Sequence, residues 1–388
     1  MTSTSALTTI ITGHIQTAPK NRITFRDYVD LALYHSQHGY YTTKVSILGP
    51  SGDFITSPHL SRDFGELLAN QFANMWCALG QPTTFHLVEM GAGQGLIADD
   101  VLSYLQQHFP DCYAALNYII IERSPALRSV QQERLKHKKV SWTTLDALPP
   151  ITGCLFSNEL VDAFPVHIIE KHNNQLQEVY VTTKDNRLKE TLGSLSTDKL
   201  AQYFDLVGIN LLADHYSDGY RTEVNLAALD WLANVASRIA QGFLLTIDYG
   251  HIAQRYYSPA RHRGTLKCYY QHRHHDDPYT NIGQQDLTAH VDFTALERYG
   301  EKVGFTNVGF TQQGLFLMAL GLGDRLAKLT QTITPGPDGF NHLIQRRQAL
   351  HQLMDMTPMG LGTFGVLIQS KGIDCNVSLK GLVVPPLT

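Results

Sequence analysis

The sequence has no CxxC pair and no apolar run of the roughly 18 residues that a membrane-spanning helix needs. Its five cysteines (Cys77, Cys112, Cys154, Cys268 and Cys375) are odd in number and scattered. That usage fits a reducing compartment and no structural zinc site. Basic excess is also lacking: 31 Lys and Arg stand against 35 Asp and Glu, for a net charge of −4. A chain so balanced has no electrostatic footprint for nucleic acid, and no such partner is expected. Residues 1–19 hold neither Lys nor Arg, so they match neither a secretory signal nor an Arg-rich transit peptide. The localisation expected from these absences is cytoplasmic. The sequence does have 388 residues, 43% of them hydrophobic and 17% charged. That suffices for a large core in two domains or one elaborated domain. Its 18 histidines make the net charge sensitive to pH between roughly 6 and 7.

Residues 1–80 read as helical. Thr24 is placed to cap a helix carrying Phe25, Tyr28, Val29 and Leu33, and a second helix is expected over 61–79. Between them lies a loop held by Gly49, Pro50, Gly52 and Pro58. From Thr84 the rhythm becomes strand, helix, strand, helix. Apolar runs over 85–90, 117–122, 140–142, 153–159 and 242–249 end in Glu89 just before a glycine turn, Glu122, Trp142, Glu159 and Asp248 with Tyr249. Alternation of this kind predicts a doubly wound α/β sheet with its ligand at the carboxyl ends of the strands. Ser124 and Pro125 mark a helix start. A β-hairpin through Asn173-Asn174 interrupts the rhythm after the fourth strand. Residues 250–290 read as a long loop rich in His, Tyr and Arg. A helix over 293–303, strands over 305–311 and 363–369, and a helical pair within 323–356 complete the chain. The expected organisation is an N-terminal helical cap over 1–80 and a core over 81–388, with insertions at about 165–222, 250–290 and 315–357.

The turn that follows the first strand is Gly91-Ala92-Gly93-Gln94-Gly95. Dinucleotide folds want GxGxxG, and here Leu96 stands where the last glycine of that pattern falls. Glu89 just before the turn disfavours a pyrophosphate. It suits S-adenosylmethionine, which has no phosphate and carries a sulfonium and an ammonium. Glu122, ending the second strand, can accept both hydroxyls of a ribose, a device that nicotinamide folds share. The spacing and Glu89 therefore select the methyl donor over NAD.

Seven strings occur in order: GDFITSP at 52–58, FGEL at 64–67, EMGAGQG at 89–95, SNELVDAFPV at 157–166, DYGH at 248–251, RGTL at 263–266 and DLTAHVDF at 286–293. Together they resemble the MidA family of S-adenosylmethionine-dependent methyltransferases, over about residues 24–314. The resemblance implies a class I methyltransferase core: a Rossmann-like, mixed seven-stranded sheet with helices on both faces and inserted elements. It also implies a protein arginine methyltransferase, since the family's mitochondrial members modify a core subunit of respiratory complex I and support its assembly. A complex I-type dehydrogenase subunit is then the expected protein partner. In this chain Ile121-Glu122 stands where the family has a valine–glutamate pair, and His59 where it has a glutamate.

Arginine is a poor nucleophile until carboxylates localise its charge. On the first reading Glu159 and Asp248 hold the guanidinium, with Asp162 behind them. On the other, Glu159 binds only the cofactor and Asp162 caps a turn. The cofactor set is Glu89, Gly91, Ala92, Gly93 and Gly95 in the turn, Glu122 and Arg123 at the ribose, Asp146 and Ala147 at the adenine, and Asn158. Asp53, Ser57 and Pro58 close over the methionine end or form a simple structural loop; Asp146 is alternatively a surface turn. His272, His274, His275, Asp276 and Asp277 are too densely spaced for one metal site, and no metal is expected. Tyr256, Tyr257, Tyr269 and Tyr270 pack against a protein substrate or cover the sheet edge. The run Phe316, Leu317, Met318, Leu320 and Leu322 is core, or a contact between subunits of a homodimer. Two further functions stay open: a small-molecule methyltransferase, and an assembly chaperone with a vestigial methyl-donor site.

Overall fold

The computed structural model describes residues 6–43, 56–271, 273–329, 337–357, 360–373 and 377–383. Its centre is a seven-stranded sheet made of β1 (Phe85–Met90), β2 (Leu116–Ile121), β3 (Val140–Thr143), β4 (Ile151–Asn158), β5 (Ile239–Asp248), β6 (Thr306–Gln312) and β7 (Gly365–Lys371). The spatial order is β6-β7-β5-β4-β1-β2-β3. β7 runs antiparallel to both neighbours, and β1 to β5 pair in parallel. The expected mixed sheet is therefore present. Its order reverses between β1 and β4, which opens a crevice at their carboxyl ends, the usual ligand position in such sheets.

Both faces are buried, which is why the strands read as continuous apolar runs. Cys154 and Phe156 of β4 join Phe64, Phe72, Leu102 and Phe316 in a core on one face. Leu155 points the other way, into a core with Trp231, Leu232, Phe293 and Leu296. Helices Asp63–Ala78 and Leu96–His108 cover the first face, and Leu226–Arg238 with Phe293–Lys302 cover the second. Phe316, Leu317, Leu320 and Leu322 are buried in the first core, so that run is core. No helix among the described residues is long and apolar enough to cross a membrane.

The insertion after β4 is larger than one hairpin. His167–His172 and Gln175–Lys184 pair through Asn173-Asn174, with φ of 48° and 57° as a tight primed turn requires. A second turn at Asp185-Asn186, with φ of 51° and 56°, adds Arg187–Gly193. Arg221–Val224 pairs with His167–His172. Arg22–Thr24 completes the five-stranded sheet, Arg22 lying opposite Thr182. The first 80 residues are thus not wholly helical; a three-residue strand carries too short a pattern to read. The cap helices Ala6–Thr17 and Phe25–Tyr34 bury Leu7, Ile11, Phe25 and Tyr28 against Ile168, Val179 and Val181. Thr24 caps the second of these by accepting the Asp27 N–H.

The segment 250–290 is structured as well, contrary to its reading as a loop. Lys267–Tyr270 pairs with Arg273–His275 and Asp286–Thr288 in a small sheet. Tyr256 and Tyr257 are buried with Tyr203 and Phe204 in a core of their own. Strands of two to four residues offer no periodicity, so tertiary packing alone creates them.

Candidate cofactor site and strand-end acids

At the end of β1, Glu89 is only 2% exposed. The Tyr118 hydroxyl donates to its Oε2 at 2.7 Å. Burial pushes the Glu89 carboxyl up to about 7, with Glu122 adding to the rise against the Tyr118 bond. The chain then turns through Gly91, Gly93 and Gly95, with φ of 71°, 52° and 76°. These left-handed values favour glycine, and a Cβ on Gly91 would lie 2.9 Å from the Leu160 side chain. Ala92 is buried, and its carbonyl accepts the Gly95 N–H at 2.8 Å. Gly95 caps the helix Leu96–His108, leaving that helix's first N–H groups toward the crevice.

Glu122 follows β2. Its Oε1 accepts the Ser124 N–H at 2.8 Å and its Oε2 accepts Gln131 Nε2 at 3.0 Å. Burial raises its pKa. The same Gln131 Nε2 donates to the Gly93 carbonyl at 2.9 Å, while its Oε1 takes the Trp142 Nε1 proton at 3.0 Å. Gln131 thus fixes the spacing between the glycine turn and Glu122. It lies mid-helix, and no motif marks it. Arg123 is exposed, its guanidinium 5.2 Å from the Tyr34 ring centre. Asp146 and Ala147 sit exposed in the turn after β3, where the Ala147 N–H meets Thr144 Oγ1 at 3.3 Å.

At the end of β4, Asn158 Nδ2 donates to Glu159 Oε1 at 3.0 Å, and Asn158 Oδ1 is buried with no hydrogen-bond partner. Glu159 has a left-handed φ of 52°, and its N–H donates to the Ile247 carbonyl at 2.9 Å. Burial, joined by the Asp248 charge, pushes Glu159 up to about 8. Asp162 is raised well above the ordinary range, by burial first and then by Asp248, Asp286 and Glu159.

Asp248 was expected beside Glu159 at the guanidinium, and the structure gives its carboxylate other work. It is fully buried. Its Oδ2 accepts the N–H groups of Leu160 at 3.1 Å, Val161 at 2.8 Å and Asp162 at 3.4 Å, and its Oδ1 that of Tyr249 at 2.8 Å. Burial pushes it up to about 6 although all four N–H groups pull it down. Asp248 therefore holds the loop that carries Asp162. The acid on the far side of Asp162 is Asp286, 1% exposed, which takes the Tyr41 hydroxyl at 2.9 Å and the Leu287 N–H at 2.9 Å. Tyr34 stacks on Tyr41 at 5.6 Å and donates to the Ala163 carbonyl at 2.9 Å.

Asp53 lies outside the described residues, as does His272. Ser57 is fully buried, and its Oγ accepts Gln313 Nε2 at 3.0 Å; Pro58 is partly exposed. His59 Nδ1 and Thr56 Oγ1 share a hydrogen bond at 2.7 Å, and burial lowers the His59 pKa while Gln94 of the glycine turn opposes this. The first loop and the turn therefore touch. His274 and His275 belong to the small sheet, and Asp276 pairs with Lys267 at 2.6 Å. Among the described residues no group of three or more His, Cys, Asp or Glu comes together as a metal site would require.

A family model described as "Putative S-adenosyl-L-methionine-dependent methyltransferase" matches residues 67–311. The chain belongs to this family. A relative from Bos taurus, "Protein arginine methyltransferase NDUFAF7, mitochondrial", is 30% identical over 369 residues, 88% of this chain and 78% of that one. The Drosophila melanogaster protein arginine methyltransferase NDUFAF7 homolog is 29% identical, over 80% and 74% of the two chains. Among solved structures, a COG1565 superfamily member from Burkholderia thailandensis bound to S-adenosyl-homocysteine superposes with a TM-score of 0.85. Its sequence identity is 31%, with 97% of this chain and 94% of that one covered.

This methyltransferase uses S-adenosylmethionine, and the residues present fit that cofactor. A turn without side chains at Gly91, Gly93 and Gly95 admits a ligand close to the backbone. Glu89 accepts one hydrogen bond from Tyr118 in a dry setting that favours a cationic guest. Buried Asn158 Oδ1 and Ser157 Oγ have no hydrogen-bond partner in the structure, which is the condition a polar ligand relieves.

Proposed function

We propose that this enzyme is a protein arginine N-methyltransferase of the cytoplasm, acting on a subunit of a complex I-type NAD(P)H dehydrogenase and supporting its assembly. The observation that carries the reading is the environment of Glu159 and Asp162. Both carboxyls are raised by burial and by one another's neighbours, and the charges that dominate around them are negative. Such a site gains most from a cation, and a planar guanidinium can meet two carboxylates at once. The relatives named protein arginine methyltransferase support the same choice.

Glu89, Gly91, Ala92, Gly93 and Gly95 hold the cofactor's methionine end, Glu122 with Arg123 its ribose, and Asp146 with Ala147 its adenine. Asn158, Asp53, Ser57 and Pro58 border it. When bound, S-adenosylmethionine supplies an electrophilic methyl carbon. The protein's share of the work is alignment, which can be worth roughly 7–11 kcal/mol. Glu159 and Asp162 orient the guanidinium, and Asp248 keeps the loop beneath them in place. Glu159 binds its cation as a carboxylate, so docking of arginine releases a proton near neutral pH, and the proton lost on methyl transfer can return to Glu159 Oε1 or Oε2.

Mass spectrometry of the dehydrogenase purified from wild-type and deletion cells tests the reading. At least one arginine methylated only when this protein is present is expected; no such arginine would sink the reading. Glu159→Gln is expected to lower transfer about a hundredfold or more while S-adenosyl-homocysteine binding changes less than about threefold. Full transfer by this variant would remove Glu159 from the guanidinium.

A further inference from the structure

We infer that residues 249–270 form a docking surface for an acidic stretch of the protein substrate, beside the arginine that enters the strand-end acids. The whole chain has fewer bases than acids, yet these residues hold Arg255, Arg261, Arg263 and Lys267 with no Asp or Glu. Lys267 pairs with Asp276 at 2.6 Å. Among the described residues the three arginines make no ion pair, and Arg255 and Arg263 are exposed. His251 and His290 have no carboxylate partner there either. Their rings lie 5.0 Å apart, and the Tyr249 ring is 4.1 Å from that of His290. Burial, then Arg261 and Arg255, holds His251 down at about 4. This corner of the crevice is thus made of bases and neutral rings.

The turn that bears Arg261 and Arg263 is held firmly. Glu223, 1% exposed, accepts the N–H groups of Thr265 at 2.9 Å and Leu266 at 3.2 Å, and the Thr265 hydroxyl at 2.9 Å. The His262 carbonyl accepts the Arg221 N–H at 2.9 Å. Thr265 Oγ1 in turn accepts the His290 N–H at 3.1 Å, and the neighbouring Ala289 N–H donates to the Asp162 carbonyl at 3.0 Å. On the other side, the Tyr249 N–H donates to Asp248. In the small sheet Lys267 lies opposite Thr288, and Tyr269 opposite Asp286. Bases and acids therefore share one wall, with Asp248 and Asp286 buried and the arginines toward solvent.

A guanidinium suits the acids and a carboxylate suits the arginines, so a segment presenting both is complementary to the whole wall. A nucleic acid or an anionic lipid surface offers no cation to Glu159, Asp162 and Asp286. The substrate class that follows is an arginine with Asp or Glu within a few residues of it. An arginine in an Arg- and Gly-rich stretch is rejected by the same bases. The place of the target arginine rests on the function proposed above; the acidic stretch does not.

Fluorescence anisotropy of labelled nonapeptides reads the surface in the full chain with S-adenosyl-homocysteine bound. One peptide has a central arginine between glutamates, a second has glycines in their place, and a third keeps the glutamates around a central glutamine. The first should bind about tenfold or more tighter than the second, a preference that fades as salt rises to about 1 M. Arg255→Glu with Arg261→Glu should abolish it and leave S-adenosyl-homocysteine affinity within about twofold. In that variant, tritium transfer to dehydrogenase purified from a strain lacking this chain should show KM raised about tenfold and kcat within about twofold. Equal binding of the first two peptides by the wild-type protein, or a preference that survives the double variant, overturns the proposal. Binding of phosphatidylglycerol vesicles that the double variant loses, with no peptide preference, overturns it in favour of a lipid surface. Variant-sensitive binding of the third peptide, with wild-type protein that labels no arginine, supports the acidic partner and removes the arginine reading. Should the charge-reversed variant fail to fold, Arg255→Gln with Arg261→Gln removes the charges alone and carries the same measurements.

Discussion

In the glycine turn, Glu89, Gly91, Gly93 and Gly95 lie within residues 89–95 of one strand–turn–helix. The acids at the strand ends are assembled otherwise. Glu159, Asp162 and Asp286 come from two segments, and their supports Tyr41 and Asp248 come from two more places along the chain. The turn's conformation is local: left-handed glycines and the N-terminus of a helix suffice to make it. The acids are set by contacts 245 and 86 residues apart in sequence, Tyr41 to Asp286 and Asp162 to Asp248. Damage to the first region should be felt as lost cofactor affinity, and damage to the second as lost turnover in an enzyme that still binds its cofactor.

Asp248→Asn breaks this division most severely if the division is wrong. The carboxylate accepts four backbone N–H groups in a fully buried place. An amide can present an oxygen to one side only and turns its NH2 toward donors on the other. Hydrogen bonds to charged groups contribute about 1.5–3 kcal/mol each, so chemical denaturation should show unfolding stability lower by about 3 kcal/mol. Methyl transfer should fall by a factor of about a hundred, because the loop bearing Asp162 loses its anchor. Unchanged transfer alongside weakened cofactor binding would place Asp248 on the cofactor side instead.

The same division explains what was legible in the sequence. Apolar runs, four of the five with an acid at or near the end, marked the parallel strands, and Thr24 and Ser124 cap the helices they precede. The glycine spacing and Glu89 led to S-adenosylmethionine without any long-range contact. Arg22–Thr24, Lys267–Tyr270 and Asp286–Thr288 could not be seen, because strands of three or four residues exist only by pairing with distant partners. Asp185-Asn186 was visible in principle, as a second primed turn beside Asn173-Asn174. Asp248 shows the deeper limit: a carboxylate at a strand end reads the same whether it faces a ligand or four N–H groups of its own chain. Only the direction of the loop after β4 separates the two.

Tyr41→Phe probes the acid side more gently. The hydroxyl donates to Asp286 Oδ1 at 2.9 Å, and its removal leaves a nearly buried carboxylate with one fewer donor. The carboxylate beside Asp162 then loses a contact that fixes its place. A fall in kcat of about tenfold is expected, the size of one hydrogen bond to a charged group, with calorimetric affinity for S-adenosyl-homocysteine unchanged. A variant that lost cofactor affinity instead would show that the cap's contact at Asp286 shapes the turn as well.

The smallest effect belongs to pH and the cofactor side. Burial, with Glu122 adding to it, raises Glu89 to about 7, well above the unfolded carboxyl range near 4.3. For an acid raised in this way the folded state loses stability as pH climbs from about 4.3 to about 7, and no further loss comes from Glu89 above that. Binding of a cationic cofactor has the opposite sign, because it favours the ionised form. Calorimetric affinity for S-adenosylmethionine should therefore tighten several-fold between about pH 6 and pH 8. Glu89→Gln should flatten that slope while lowering affinity throughout. Tyr118→Phe removes a hydrogen bond that favours the ionised carboxylate, so it should carry the same slope to higher pH. A slope that survives Glu89→Gln would move the titration to Glu122, the other raised acid on this side, and would show that the ribose end controls the pH dependence.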